Sequence, residues 1–322
     1  MIYIEIIQDS GGRTGHKLKD YLTAFCFYFI CNYKTIINDY WKFPENNCNN
    51  HLNMFNLNSS NIFINRPNNP IITIKYSLRN YWGMGYNRFK KITERIEDMQ
   101  KKNINKSVIV QLSNATRIQL SNVYNWELSN LIEKGTYNKL TLYLRTLLLT
   151  SPNNNQIPII KNDNNIINIS IHIRKGDVFH RPLHRSVKYY ENIIQNLKKI
   201  KFKKNIYIYT EKWKGYDGKD VFYLINLKDN NTNIKVIFEF CLYEYFVDII
   251  NSDIFVATIG QGSLSDMAIH YKSKNTIVIC NHRLRQSKFR DNMNNKLIKT
   301  EKDGNFDIKY LQDNVHLKLP TV

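Results

Sequence analysis

Apolar residues recur along the chain in two alternating rhythms. Ile2 to Ile7 is a short β-branched run that ends at Gln8-Asp9-Ser10-Gly11-Gly12, after which Leu18, Leu22, Phe25, Phe29 and Ile30 repeat near the helical period. The pattern predicts strand, glycine loop, helix. Short runs at Thr35 to Asn38, Ile71 to Tyr76 and Ser107 to Leu112 predict further strands, and an amphipathic stretch from Arg88 to Lys101 predicts a helix between the last two. The Asn- and Pro-rich region from about 39 to Pro70 predicts loops. Beyond Ser151 to Asn165 (SPNNNQIPIIKNDNN) the rhythm resumes, with strands at Ile166 to Ile173, Asn205 to Tyr209, Lys235 to Phe238, Ile254 to Ala257 and Thr276 to Cys280. Helices are predicted near Ser186 to Ile200, Leu242 to Asn251 and Ser265 to Tyr271. Uninterrupted apolar strands separated by helices predict a parallel sheet covered on both faces. The Pro/Asn segment marks the boundary between a domain at 1–158 and a domain at 159–322.

Length and composition agree with two domains: 322 residues, 43% of them hydrophobic, can fill two cores. The excess of Lys+Arg (46) over Asp+Glu (27), net +19, favours anionic partners without choosing among phosphates, nucleic acid and acidic glycans. The Asn, Lys and Ile bias also reads as the imprint of an A+T-rich coding sequence. The five cysteines, Cys26, Cys31, Cys48, Cys241 and Cys280, are odd in number and form no CxxC pair, which points to a reducing, cytoplasmic setting. The longest apolar run, Tyr21 to Cys31, is too short to span a bilayer, so no membrane span is expected. Asn168-Ile-Ser lies inside a core strand and is no glycan acceptor.

Polar groups cluster where the second series would open. The strand Ile166 to Ile173 runs straight into His172, Arg174, Lys175, Gly176 and Asp177. In an open parallel sheet the carboxyl ends of the strands form the ligand crevice. Two residues apart on a strand, His172 and Arg174 share a face and can grip one ligand; alternatively, His172 is a satisfied core histidine and Arg174 closes a turn with Asp177. Farther on, Ile254-Phe-Val-Ala-Thr-Ile-Gly-Gln-Gly-Ser-Leu-Ser265 is a strand, a small-residue loop and a helix start. There Gly262, Ser263, Leu264 and Ser265 could cradle phosphate on free N–H groups, or Ser263 or Ser265 could simply cap the helix. The opening loop, with Gly12, Arg13, His16 and Lys17, could reach a phosphate or a second substrate, or merely end its strand.

His172-Ile-Arg174-Lys175-Gly176-Asp177 resembles the H-x-R-R-x-D element of the α1,2- and α1,6-fucosyltransferases and the related O-fucosyltransferases, in which the first arginine binds the β-phosphate of GDP-fucose. The second basic position of that element is Lys175 here, which keeps charge but loses the two-pronged grip. The Ile254 to Ser265 stretch is similar to the same superfamily's "AD-x-x-V…SSFS" segment, with Asn251-Ser-Asp253 in place of its alanine-aspartate and Gly262 in place of its first serine. The Gly11 to Tyr21 loop is similar to its G-G-x-x-N-Q opening, His16 standing at the asparagine-like position. Lesser features resemble it as well: Thr210-Glu211 at a strand end, Arg185 with Tyr189-Tyr190, and Glu244 or Asp248 as acceptors for the guanine edge, although each has an ordinary structural explanation.

The resemblance implies a GT-B-like fold, two Rossmann-like domains facing a cleft, with an acceptor-side N-terminal domain and a nucleotide-sugar-binding C-terminal domain. It implies an inverting transfer of L-fucose from GDP-fucose to a hydroxyl of a glycan or glycoprotein. Arg174 would neutralise the leaving diphosphate, with His172, Lys175, Gly12, Arg13, Glu244, Gly262, Ser263, Leu264 and Ser265 lining the donor site. Asp177 and His16 are the catalytic candidates beside Arg174, and the general base stays open among Asp177, His180, His184 and His16. No cofactor and no metal are expected, since cationic side chains can hold the diphosphate. Competing readings are the same fold with another nucleotide sugar, a binding protein of that fold without catalysis, and a basic nucleic-acid-binding protein. Against the last, the aromatics follow the apolar period instead of a basic stripe, and no RNP, KH or zinc-finger pattern occurs.

Overall fold

The computed structural model describes residues 1–7, 24, 27–29, 31–38, 61–68, 71–77, 86–113, 136–150, 159–160, 163, 165–174, 185–210, 217–238, 240–257, 264–265, 268–269, 276–280 and 296–315. The chain divides into two compact units, Met1–Asn155 and Gln156–Val322. Both are α/β units built on a parallel sheet, the class and architecture expected from the alternating rhythm.

In the first unit the strands are β1 (Ile2–Ile7), β2 (Lys34–Ile36), β3 (Phe63–Ile64), β4 (Ile71–Ser77) and β5 (Ser107–Ser113). They lie in the order β3-β2-β1-β5-β4, every pair parallel. Helix α1 (Tyr86–Lys102) follows β4 and α2 (Thr136–Leu149) follows β5. The two-residue β3 lies in the region expected to hold only loops, because pairing with β2 through Thr35 and Ile36 supplies what its own length cannot. One sheet face packs Tyr3, Ile36 and Ile109 together near its amino end. Two residues along, the same face turns polar: Glu5, 4% exposed, accepts hydrogen bonds from Gln111 Nε2 at 2.6 Å and Arg66 Nη1 at 2.9 Å. The burial of a carboxylate is offset here by both donors.

The second unit holds β6 (Ile166–Ile173), β7 (Lys203–Thr210), β8 (Thr232–Phe238), β9 (Ile254–Ala257), β10 (Ile277–Cys280) and β11 (Lys296–Lys299). Helices among its described residues include α3 (Val187–Lys198), α4 (Leu242–Asn251) and α5 (Ile308–Val315), with a short helix at Lys219–Phe222 running into a 3₁₀ turn at Tyr223–Leu227. The strand order is β11-β10-β9-β6-β7-β8, all parallel. Counted from β6 this is 6-5-4-1-2-3, the doubly wound dinucleotide-fold order, whose direction reverses between β6 and β9.

Alternation sorts the side chains of β6 into two sets. Ile167, Ile169, Ile171 and Ile173 face a core shared with Ile206, Ile208, Ile254, Val256, Ile277 and Ile279, covered by Tyr190, Ile193, Ile194 and Leu197 of α3 and by Leu311 and Val315 of α5. Asn168, Ser170 and His172 point to the opposite face, toward α4. Ser186 caps α3 by accepting from the Tyr189 N–H at 3.3 Å. At the amino end, the Asp253 carboxylate accepts from the Asn168 N–H at 2.9 Å, so this residue ties β9 to β6 at the end remote from the ligand crevice. Asn168 is itself buried within β6, where a glycan has no room in the folded protein.

The turn after β11 clasps α3. Asn196 Nδ2 donates to Asn305 Oδ1 at 2.8 Å, Asn192 Nδ2 donates to the Asp303 carbonyl at 2.9 Å, and Tyr189 Oη shares a 2.7 Å hydrogen bond with Thr300 Oγ1. Gly304 makes this approach possible at φ +99°, where an added Cβ would lie 2.3 Å from the Tyr189 carbonyl oxygen. Gly304→Ala is therefore expected to lower the stability of the unit by about 1 to 3 kcal/mol through left-handed strain and that clash. Urea denaturation against an exposed control in the same turn, Lys302→Ala, measures it; equal midpoints for the two variants contradict the packing described.

Candidate functional site

The site is built at the carboxyl ends of β6 and β9, where the chain leaves the sheet toward opposite edges. β6 delivers His172 as its penultimate residue and Arg174 immediately after its end. Beyond β9, Leu264 and Ser265 are helical. The two segments meet: His172 Nδ1 and Ser265 Oγ share a buried hydrogen bond across 93 positions of sequence. Both side chains are almost wholly withdrawn from solvent, 5% and 0% exposed, so each satisfies a polar atom of the other that would otherwise be costly to bury.

Burial, aided by the positive charge of Arg174, lowers the His172 pKa to about 3, so the imidazole is neutral at physiological pH. A protonated ring here would meet a low-dielectric pocket and a neighbouring guanidinium. Arg174 itself is half-buried at the strand tip. Arg174, just beyond β6, thus acts on the imidazole through its charge, and Ser265, beyond β9, through its hydroxyl.

Aromatic rings form the floor under this bond. His172 lies edge-on to Tyr245 (centroids 5.3 Å) and to Phe240 (6.4 Å), Tyr209 lies edge-on to both (5.3 and 5.5 Å), and Phe240 stacks on Tyr245 at 4.9 Å and 25°. Register explains the grouping, since His172 and Tyr209 are direct neighbours in β6 and β7 and point to the same face. Tyr209 is pinned by its hydroxyl, which donates to Asp248 Oδ2 at 2.7 Å. The other oxygen of Asp248 accepts from the Ile160 N–H at 2.9 Å. Burial raises the Asp248 pKa, with these hydrogen bonds acting against it.

The residues expected from sequence divide accordingly. His172 and Ser265 are brought together, Arg174 is near enough to act on the imidazole by its charge, and Leu264 is half-buried next to Ser265 in the chain. Glu244 is half-buried in the first turn of α4, one residue before Tyr245. Asp248, the alternative acceptor for a base edge, is 0% exposed and committed to Tyr209 and Ile160, so it anchors the fold and does not face a ligand. Tyr189 and Tyr190 belong to the core, with Arg185 over the Tyr189 ring at 5.3 Å, and Thr210 is buried at the end of β7. Gly12, Arg13, His16, Lys17, Lys175, Asp177, His180, His184, Gly262 and Ser263 lie outside the described residues. Sequence reasoning missed Phe240 and the His172–Ser265 pairing. The run Phe238-Glu-Phe240 followed by Tyr243, Tyr245 and Phe246 was a visible signal of an aromatic cluster, but the pairing needs the sheet order.

Among the described residues no group of three His, Cys, Asp or Glu side chains is placed to hold a metal ion, and no helix is long and apolar enough to cross a membrane. No family model matches the sequence, and no curated protein matches it. Two solved structures are similar in chain course. FUT1 from Arabidopsis thaliana, a mutant in complex with GDP, aligns over 84% of this chain and 69% of its own at 9% identity and a TM-score of 0.40. WaaG, a glycosyltransferase involved in lipopolysaccharide biosynthesis, aligns over 99% of this chain and 90% of its own at 9% identity and a TM-score of 0.31.

The neutral imidazole carries a pH signature. Between about pH 6.5 and 3 the unfolded chain holds the proton that the folded ring refuses, so stability is undiminished above pH 6.5 and falls as the pH drops below it. His172→Asn, which can keep a hydrogen bond to Ser265 without a titrating ring, is expected to lose about 2 to 3 kcal/mol less than the parent between pH 6.5 and 4. Urea midpoints of both proteins across that range test it, and parallel curves would mean that the ring is solvated.

Proposed function

We propose that this chain is a glycosyltransferase that binds a nucleotide sugar at the carboxyl edge of the β6–β9 reversal and transfers the sugar to a hydroxyl acceptor, with GDP-fucose as the donor. The observation that carries the reading is the meeting of His172 and Ser265, with Arg174 beside them. Two segments that resemble fucosyltransferase diphosphate-binding elements, far apart in sequence, share one hydrogen bond where a doubly wound sheet binds its ligands.

In such a transfer the acceptor oxygen attacks the anomeric carbon as its bond to the β-phosphate breaks, and negative charge builds on the departing diphosphate. A fixed guanidinium stabilises that charge most where it is largest. Arg174 is the residue assigned this role, with Lys175 as a second cation. The acceptor proton goes to a base among Asp177, His16, His180 and His184. His172, with a pKa near 3, is too weakly basic for that task and acts as a neutral strut for Ser265. Attack from the face opposite the leaving group inverts the anomeric centre. Cationic side chains allow the transfer without a metal. A different sugar nucleotide on the same site is the second reading, favoured by Lys175 and Gly262 standing where the fucosyltransferase segments carry arginine and serine.

Thermal shift with GDP, GDP-fucose, UDP and CMP tests the reading. A guanine nucleotide at a hundredfold its Kd is expected to raise Tm by about 3 to 8 °C through mass action. Arg174→Ala, by removing a charge-assisted contact, is expected to weaken binding at least about 30-fold and to cut the shift at the same concentration to about a third or less. Stabilisation by UDP or CMP alone shifts the assignment to another donor, and no shift with any nucleotide contradicts it.

A further inference from the structure

A nucleoside diphosphate presents two chemistries: a charged diphosphate, and a planar base whose faces are apolar. Arg174 and Ser265 suit the first. For the second, the aromatic floor offers one candidate surface. His172, Tyr209 and Tyr245 are all buried, at 5%, 0% and 0% exposure, whereas Phe240 is only half-buried. It is the member of the four-ring cluster that reaches the surface, directly beyond the carboxyl end of β8. Phe240 stacks on Tyr245 at 4.9 Å and meets His172 and Tyr209 in perpendicular ring contacts. The ring is thus immobilised from behind, as a platform must be if a ligand is to stack on it without ordering it first. His172 touches both ends of the site, bonded to Ser265 and packed against Phe240, so the phosphate side and the aromatic side are one imidazole apart, a span a ribose can bridge. Glu244, half-buried in the first turn of α4 and adjacent in sequence to Tyr245, supplies a carboxylate, and a carboxylate accepts from the N–H groups of a guanine edge.

We propose that Phe240 is the stacking platform for the nucleobase of the donor, backed by Tyr245, with Glu244 selecting guanine at the base edge. This rests on the nucleotide-sugar reading above and adds the ring on which the base stacks, beside the Glu244 already expected at its edge. Calorimetric titration of the full chain with GDP and with inorganic pyrophosphate separates the two. Phe240→Leu and Phe240→Ala are expected to weaken GDP binding about 10- to 100-fold, the loss of one aromatic–base stack, and to leave pyrophosphate affinity unchanged. Phe240→Trp keeps a stacking face; it is expected to retain GDP affinity and to show indole quenching by GDP and none by pyrophosphate. Circular dichroism and Tm establish that each variant is folded, and Phe240→Leu keeps the apolar bulk should the alanine variant unfold. A folded Phe240→Leu with parental GDP affinity overturns the platform, and so does a parallel loss of GDP and pyrophosphate binding, which marks a purely structural role. Failure of the parent chain to bind either probe overturns the nucleotide-sugar reading itself, and the platform with it.

Discussion

The hydrogen bond between His172 and Ser265 joins two segments that the topology sends in opposite directions. From β6 the chain turns toward β7 and β8; from β9 it turns toward β10 and β11. The backbone ladder does not tie the segment leaving β6 to the segment leaving β9, because the two strands pair only through Ile169–Ile171 and Ile254–Val256. The side-chain bond does so, in a buried setting where an unmade hydrogen bond costs about 1 to 3 kcal/mol. The cost of separation keeps Ser265 at the tip of β6, and burial, aided by the charge of Arg174, keeps the imidazole neutral and so able to share that bond without carrying charge into the interior.

The rest of the second unit keeps that junction in place. The isoleucine face of β6 fixes the strand against α3 and α5, which leaves the His172 face to α4. Asp248 on α4 then grips Tyr209 and the backbone at Ile160, holding the aromatic floor at a fixed height under the imidazole. At the amino end, Asp253 holds the start of β9 against Asn168. Asp253 thus anchors the β6–β9 pair at its amino end, and Asp248 anchors Tyr209 of β7 near the carboxyl end of the sheet.

Much of this was legible in the sequence where period and length were unambiguous. The helix expected from Leu242 to Asn251 and the strands at Ile166 to Ile173 and Ile254 to Ala257 have those bounds in the structure. What escaped was short or blurred. In α2 nearly every position from Leu140 to Leu149 is apolar or carries a long side chain, so no face stands out. In β11 the sequence Lys-Leu-Ile-Lys is too brief to announce a strand, and its pairing with β10 decides the matter. α5 has eight residues and is held by Leu311 and Val315 reaching the core of another segment. The candidate site was half legible: His172 and Arg174 could be placed on one face by parity alone. The partner of His172 and the emergence of Phe240 both depend on which strands are neighbours, a non-local fact.

The central claim is that one ligand spans the tip of β6 and the helical residues 264–265 beyond β9. Amide hydrogen exchange on the full chain with and without saturating GDP addresses it at those places. The account predicts that GDP slows exchange in peptides covering 172–174 and 264–265 and leaves the amino-end turn at 199–203 unchanged. Binding of GDP that protects 199–203, or that leaves both 172–174 and 264–265 exchanging as before, would contradict it.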